Sequence, residues 1–171
     1  MKDEYEIKFR LDSPDALIEA LAAAGAEFLG EGYETNHIFD TPDGALKARG
    51  VLLRLREEPR GVLLTVKEPL ECVGVKGRRE HEFRPGAGYR EVAAMLAALG
   101  YGESFRYRKH RRSWRLPCGV TACLDELRTG FFLELEGGSP EVVLTAAAEL
   151  GFTPGQGLVQ GYPSLIGGDR S

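Results

Sequence analysis

The sequence predicts an α+β fold in which charged strands curl into a barrel with their charges inside, while apolar helices pack on the outside. Three observations lead there. Segment after segment alternates charged with apolar residues, the signature of a half-buried strand. Lys, Glu and Asp, normally depleted from strands, are concentrated in these segments. The helical segments, where surface charge usually resides, are instead apolar.

The elements follow in order along the 171 residues. The first strand, Glu4-Tyr5-Glu6-Ile7-Lys8-Phe9-Arg10-Leu11, sets two carboxylates and two cations on one side and four apolar residues on the other. Acid, acid, base at every second position suits a metal ion gripping a polyanion, although alternation alone also describes an ordinary edge strand. Ser13-Pro14 then opens a helix through Ala16 to Leu21 that ends before Gly25. Next come Leu53-Arg54-Leu55-Arg56 and Leu64-Thr65-Val66-Lys67, a hairpin loop between Pro69 and Lys76, and Glu80-His81-Glu82-Phe83. A second helix runs from about Arg90 to Gly100. The basic strand Arg108 to Arg115, the segment Leu124-Asp125-Glu126-Leu127, the strand Phe132-Leu133-Glu134-Leu135-Glu136 and a third helix from Ser139-Pro140 to Gly151 complete the series. All three helices close on a glycine with an aromatic residue soon after: Gly25 and Phe28, Gly100-Tyr101, Gly151-Phe152.

Composition fits one folded domain spanning residues 1–171, with 43% hydrophobic and 28% charged residues. Cys72, Cys118 and Cys123 are odd in number and contain no CxxC pair, which argues against a disulfide framework or a zinc site and makes the cytoplasm the default compartment. No apolar run reaches membrane-spanning length, and a net charge of -4 argues against a nucleic-acid surface. That acidic balance also bears on the strands. With the charged faces outward, broad positive surfaces would stand on an acidic protein and the helices would lack a place to bury. With those faces inward, the cations repel one another unless an anion sits among them, since buried unpaired charge costs several kcal/mol per ion. A polyphosphate with a divalent metal satisfies both signs: carboxylates hold the metal and cations hold phosphate oxygens.

In these motifs the chain resembles the CYTH superfamily, the triphosphate tunnel metalloenzymes. Glu4, Glu6 and Lys8 match its N-terminal Glu-x-Glu-x-Lys signature. Further marks follow in order: Ile38-Phe39-Asp40-Thr41-Pro42, Arg54 and Arg56, Lys67, Arg79-Glu80-His81-Glu82, Lys109 and Arg111, Asp125, and the late pair Glu134 and Glu136. The resemblance implies a closed or nearly closed antiparallel barrel of about eight strands forming a tunnel, with helices outside. It implies metal binding by Glu4, Glu6, Glu134 and Glu136, assisted by Glu80, Glu82 or Asp125. Lys8, Arg54, Arg56, Lys67, Lys109 and Arg111 correspond to the triphosphate clamp, with Glu4, Glu6 and Lys8 as the catalytic group. Mg2+ or Mn2+ is the implied ion, because every candidate ligand is a hard oxygen.

The implied partner is a triphosphate-containing small molecule: tripolyphosphate, ATP or thiamine triphosphate. The implied activity is a metal-dependent triphosphatase; a class IV adenylate cyclase and a non-catalytic polyphosphate-binding module are the alternatives. The family includes dimers, which leaves a homodimer open. One departure stands out: Gln160-Gly161-Tyr162-Pro163-Ser164 occupies the place of a basic-Ser-Tyr motif and lacks its basic residue.

Other residues carry ordinary readings. His37, His81 and His110 show no metal-ligand spacing, and Ser113 and Ser164 lack a Gly-x-Ser-x-Gly context. Trp114 reads as packing under a helix. Arg60, Arg78, Arg84 and Arg90, at loops or strand ends, read as solvated charge.

Overall fold

Eight antiparallel strands close into a barrel in the order β1-β5-β4-β3-β2-β6-β7-β8. The computed structural model describes residues 1–158 and 161–166. Along the chain run β1 (Lys2–Leu11), α1 (Asp15–Ala23), β2 (Glu27–Asp40), the short α2 (Ala45–Ala48), β3 (Leu52–Glu58), β4 (Gly61–Leu70) and β5 (Lys76–Phe83). They are followed by α3 (Tyr89–Ala98), β6 (Gly102–Arg115), β7 (Thr121–Leu127), β8 (Gly130–Gly137), α4 (Pro140–Glu149), a 3₁₀ turn (Pro154–Gln156) and α5 (Tyr162–Ile166).

Residues directly opposite in an antiparallel pair share a face, so the register decides which charges point inward. Lys8 lies opposite Glu134 and Glu6 opposite Glu136. Lys67 faces Glu80, Arg54 faces Thr65, Asn36 faces Arg56, Glu34 faces Lys109 and Arg111 faces Asp125. These are the inward positions. The run Arg108 to Arg115 is thereby divided, with Lys109 and Arg111 inside and the alternate residues Arg108 and Arg112 outside.

The outer face is apolar and covered. Helices α1 and α4 lay Leu17, Leu21, Val143, Ala146 and Ala147 on Ile7, Phe9, Leu124, Leu133 and Leu135 of β1, β7 and β8. Trp114 packs against this same core. Helix α3 lays Val92 and Leu96 on Phe39, Leu53 and Leu55. At Gly137 a Cβ would come within 2.8 Å of Val143 Cγ2, so the missing side chain lets α4 approach the sheet.

Helix ends follow the sequence signals. Ser139 Oγ accepts from the Val142 amide at 3.4 Å, with Pro140 in the first turn. Helix α1 starts at Asp15, whose amide donates to Ser13 Oγ at 3.2 Å. The shared glycine endings have one cause: Gly25, Gly100 and Gly151 adopt φ of 68°, 89° and 85°, the left-handed conformation that stops a helix. Asp40, in the Ile38 to Pro42 segment, proves architectural. Its carboxylate accepts from the amides of Thr41, Leu46 and Lys47 at 2.8–3.0 Å, anchoring α2 at the end of β2.

The C-terminal segment closes one end of the barrel. The Leu158 amide donates to Lys8 O at 2.8 Å. Tyr162 is buried with Leu127 and Phe132, and Tyr107, Leu158, Leu165 and Ile166 pack around them. Gln160 of the departing motif lies outside the described residues.

Candidate active site: a charged tunnel closed at one end

At the closed end, β1, β6, β7 and β8 bring together a dense ionic layer. Lys8 Nζ lies 2.7 Å from Glu134 Oε2, and Lys109 Nζ donates to Asp125 Oδ2 at 2.9 Å. Arg111 grips Asp125 with Nε and Nη2, both at 2.6 Å. It reaches Glu134 at 2.8 Å and Glu136 at 3.3 Å as well. The Tyr162 hydroxyl donates to Asp125 Oδ2 at 2.6 Å, and its ring lies under Lys8 Nζ at 4.1 Å and Lys109 Nζ at 5.0 Å. Burial, with the Asp125 and Glu134 carboxylates nearby, pushes this phenol well above its usual range, so it remains a donor.

The β1, β4 and β5 wall carries Lys67, which pairs with Glu80, with Glu4 at 3.2 Å and with Glu6 at 4.0 Å. Lys76 pairs with Glu6 at 2.6 Å. On the β2 and β3 wall, Arg56 pairs with Glu34 at 3.3 Å and donates through Nε to Asn36 Oδ1 at 3.1 Å. Arg54 is different. It is 6% exposed, it makes a long hydrogen bond of 3.4 Å to Thr65 Oγ1, and its Nε and Asn36 Nδ2 are buried donors without acceptors. Arg54, Arg56, Lys67 and Arg111 line a cavity of about 190 Å³ that reaches the open mouth, where Glu58, Glu82, Arg60 and Arg84 stand.

The ionic states follow from this packing. Burial pushes Lys8 down, but Glu134 and Glu6 more than offset it and leave Lys8 above its ordinary value. Burial pushes Glu34 up, but Lys109, Arg111 and Arg56 bring it to about 2. Burial raises Glu134 too, yet Lys8 and Arg111 hold it well below the carboxylate range. Its neighbour Glu136 goes the other way: burial raises it, Arg111 offsets only part, and the nearby Glu4 and Glu134 carboxylates keep it well above that range. Arg54 is lowered by burial and then by Arg56.

Every carboxylate and cation assigned from the sequence faces this interior or its rim, with Glu82 exposed at the edge. One expectation is modified. Among the described residues, no three acidic, histidine or cysteine side chains are disposed to hold a metal ion by themselves. The acids turn to lysines and arginines instead, because both signs share one face and neutralise each other. The donor set nevertheless suits a divalent ion. It consists of hard oxygens, and burial together with the nearby Glu4 and Glu134 carboxylates raises the Glu136 carboxyl, an environment that a cation would relieve.

The sequence reading missed Glu34, Asn36, Lys76 and Glu58, and left the role of Tyr162 open. For Glu34 and Asn36 the available signal was the i, i+2 spacing in β2, and for Lys76 its alternation with Glu80 and Glu82. Tyr162 lay in the segment set against the basic-Ser-Tyr motif, but no role was assigned to it.

The chain belongs to the CYTH domain family, which it matches over residues 2–162. It is 27% identical over 134 residues to MJ0240 of Methanocaldococcus jannaschii, provisionally named an adenylate cyclase, covering 78% of this chain and 75% of that protein. It is 34% identical over 115 residues to adenylate cyclase CyaB of Aeromonas hydrophila, covering 63% of this chain. That match spans about half of CyaB, 54% of its length. The solved structure of a Vibrio parahaemolyticus protein superposes with a TM-score of 0.84 at 22% identity, covering 96% of this chain and 98% of that one. Hippeastrum HpAC1, described as a provisionally assigned adenylyl cyclase with a dominant triphosphatase activity, gives a TM-score of 0.65 at 25% identity, covering 87% and 88% of the two chains. No helix among the described residues is long and apolar enough to cross a membrane.

Proposed function

We propose that the protein is a divalent-metal-dependent triphosphatase acting on tripolyphosphate or on a nucleoside or thiamine triphosphate. The observation that carries this reading is the pair of buried donors, Arg54 Nε and Asn36 Nδ2, that lack acceptors beside Arg56. Buried unsatisfied donors are costly, more so when charged, and the oxygens of a threaded polyphosphate would satisfy both. Glu4, Glu6, Glu134 and Glu136, assisted by Glu80, Glu82 or Asp125, would hold Mg2+ or Mn2+. When bound, the ion supplies charge neutralisation on the phosphate oxygens.

The chain's own residues do the rest by position and charge. Lys8 and Lys109 bind the end of the substrate that reaches the closed layer. Arg54, Arg56, Lys67 and Arg111 orient its length and absorb the charge that develops on the leaving polyphosphate. Glu4 and Glu6 serve catalysis as ligands, and Lys8 as an electrostatic stabiliser. The buried walls keep bulk water from all but the mouth. The triphosphatase activity described for HpAC1, a fold relative at 25% identity, supports the assignment.

Adenylate cyclisation is the second reading, favoured by the names of the sequence relatives. It needs a place for the base, and the residues lining the cavity include no aromatic side chain and one apolar residue, Leu63. A non-catalytic polyphosphate-binding module is the third. Product analysis separates them: ATP and tripolyphosphate are offered in parallel with Mg2+ or Mn2+, and orthophosphate, pyrophosphate, ADP and cyclic AMP are resolved. Orthophosphate from tripolyphosphate with little cyclic AMP is the expected result. Cyclic AMP with equimolar pyrophosphate would replace this reading with the cyclase, and binding without metal-dependent product would replace it with the module.

A further inference from the structure

Arg60 and Arg84 stand at the open end of the tunnel, outside the six cations of the clamp, and one carboxylate organises both. Glu58 Oε1 lies 2.5 Å from Arg84 Nη2 and 3.6 Å from Arg60 Nε, and its Oε2 is 3.7 Å from Arg56 Nη1. The Glu58 side chain is only 8% exposed, whereas those of Arg84 and Arg60 are 40% and 82% exposed. One buried carboxylate thus lies within ion-pair distance of three guanidiniums, two of which reach solvent. An ion pair whose cation is as exposed as Arg60 contributes little to stability, so folding alone gives weak reason for that contact.

Two further facts give the cluster a direction. The tunnel is closed at the Tyr162 end, so a linear anion enters past Glu58 and its far end remains at the mouth. Glu58 lies four residues beyond Arg54 on β3. That is ~13 Å along the strand and about 10 Å along a barrel axis with the usual strand tilt. The residues that line the mouth are charged rather than aromatic, so it suits continuation of the anion.

We propose that Arg60 and Arg84, positioned by Glu58, form an outer anion subsite for the part of a linear inorganic polyphosphate beyond its third phosphate. The substrate class would then be inorganic chains of four or more phosphates, with tripolyphosphate as a shorter ligand. This rests on the triphosphate reading and specifies which end of that substrate meets which residues.

The test is calorimetric binding of tripolyphosphate and tetrapolyphosphate to the full chain, in EDTA to prevent turnover and at low salt. Wild type is expected to bind the tetraphosphate about tenfold more tightly, one good charge-assisted contact's worth. In Arg60→Ala/Arg84→Ala this ratio should fall to about one, and in Arg60→Lys/Arg84→Lys, where charge remains, most of it should survive. Thermal melts of each variant report folding separately. Tripolyphosphate binding without a chain-length preference in wild type, or a preference that survives the double alanine variant, would overturn the subsite and leave the triphosphate reading standing. Failure of wild type to bind either chain would remove both.

Discussion

Tyr162 and Asp125, 37 positions apart in sequence, meet at 2.6 Å inside the barrel, the phenol donating to a fully buried carboxylate. Asp125 is already held by Lys109 and twice by Arg111. The C-terminal segment is therefore tied into the ionic layer of the site as well as lying across the end of the barrel.

Removing that hydroxyl should weaken the tie without moving the ring. For Tyr162→Phe we expect a loss of about 1.5–3 kcal/mol in unfolding free energy, the range for a hydrogen bond to a charged group. Denaturant unfolding at an unchanged m-value checks it. A loss below half a kcal/mol would mean that Asp125 is fully served by its cations.

Metal and clamp roles separate by mutation. Glu6→Gln should reduce magnesium-dependent turnover by roughly 10²-fold or more while tripolyphosphate still binds. Arg56→Ala should instead weaken tripolyphosphate binding by about ten- to a hundredfold and flatten its salt dependence. Near-normal turnover in the first, or unchanged affinity in the second, would remove that residue from its role.

Glu34 gives a pH prediction. Its folded pKa of about 2 lies below the ordinary 4.5. Its contribution is therefore present above pH 4.5 and is lost as pH falls toward 2. A shift of that size corresponds to about 3 kcal/mol at neutral pH. Glu34→Gln should be markedly less stable than wild type at pH 7, and the gap should shrink to roughly half or less at pH 3, still short of closing because the folded pKa lies lower. Melts at both values decide it, and a gap independent of pH would show that the cost is steric.

Gly137 tests the packing of α4. Gly137→Ala would press a methyl group against Val143 Cγ2 and Val142 Cγ1, so we expect about 1–3 kcal/mol of destabilisation by overpacking. An unchanged melting temperature would show that α4 shifts freely.

What the sequence disclosed depended on how local the signal was. The alternation of Glu4, Glu6 and Lys8 with Tyr5, Ile7 and Phe9 gave both faces of β1, and the apolar helices told which face was covered. The glycines after each helix gave its end, because the left-handed residue is chosen for a local reason. Glu34 and Asn36 follow the same alternation as Arg54 and Arg56, but β2 was read only through its final segment, Ile38 to Asp40. Tyr162 stood in the segment compared with the basic-Ser-Tyr motif, but its role was hidden, since its partners lie on β1, β6, β7 and β8 and the contact exists only once the barrel has formed. Arg60 and Arg84 looked like solvated hairpin and strand-end charge. Only the closure of the sheet brings them to Glu58 at the same opening.

The closed end also imposes a queue. If a chain enters with one end against Tyr162, the fragment left nearer the opening stands between the deeper fragment and solvent after cleavage. The last part to enter would be the first to leave, and the outer product, added back, would obstruct the inner one as well as new substrate.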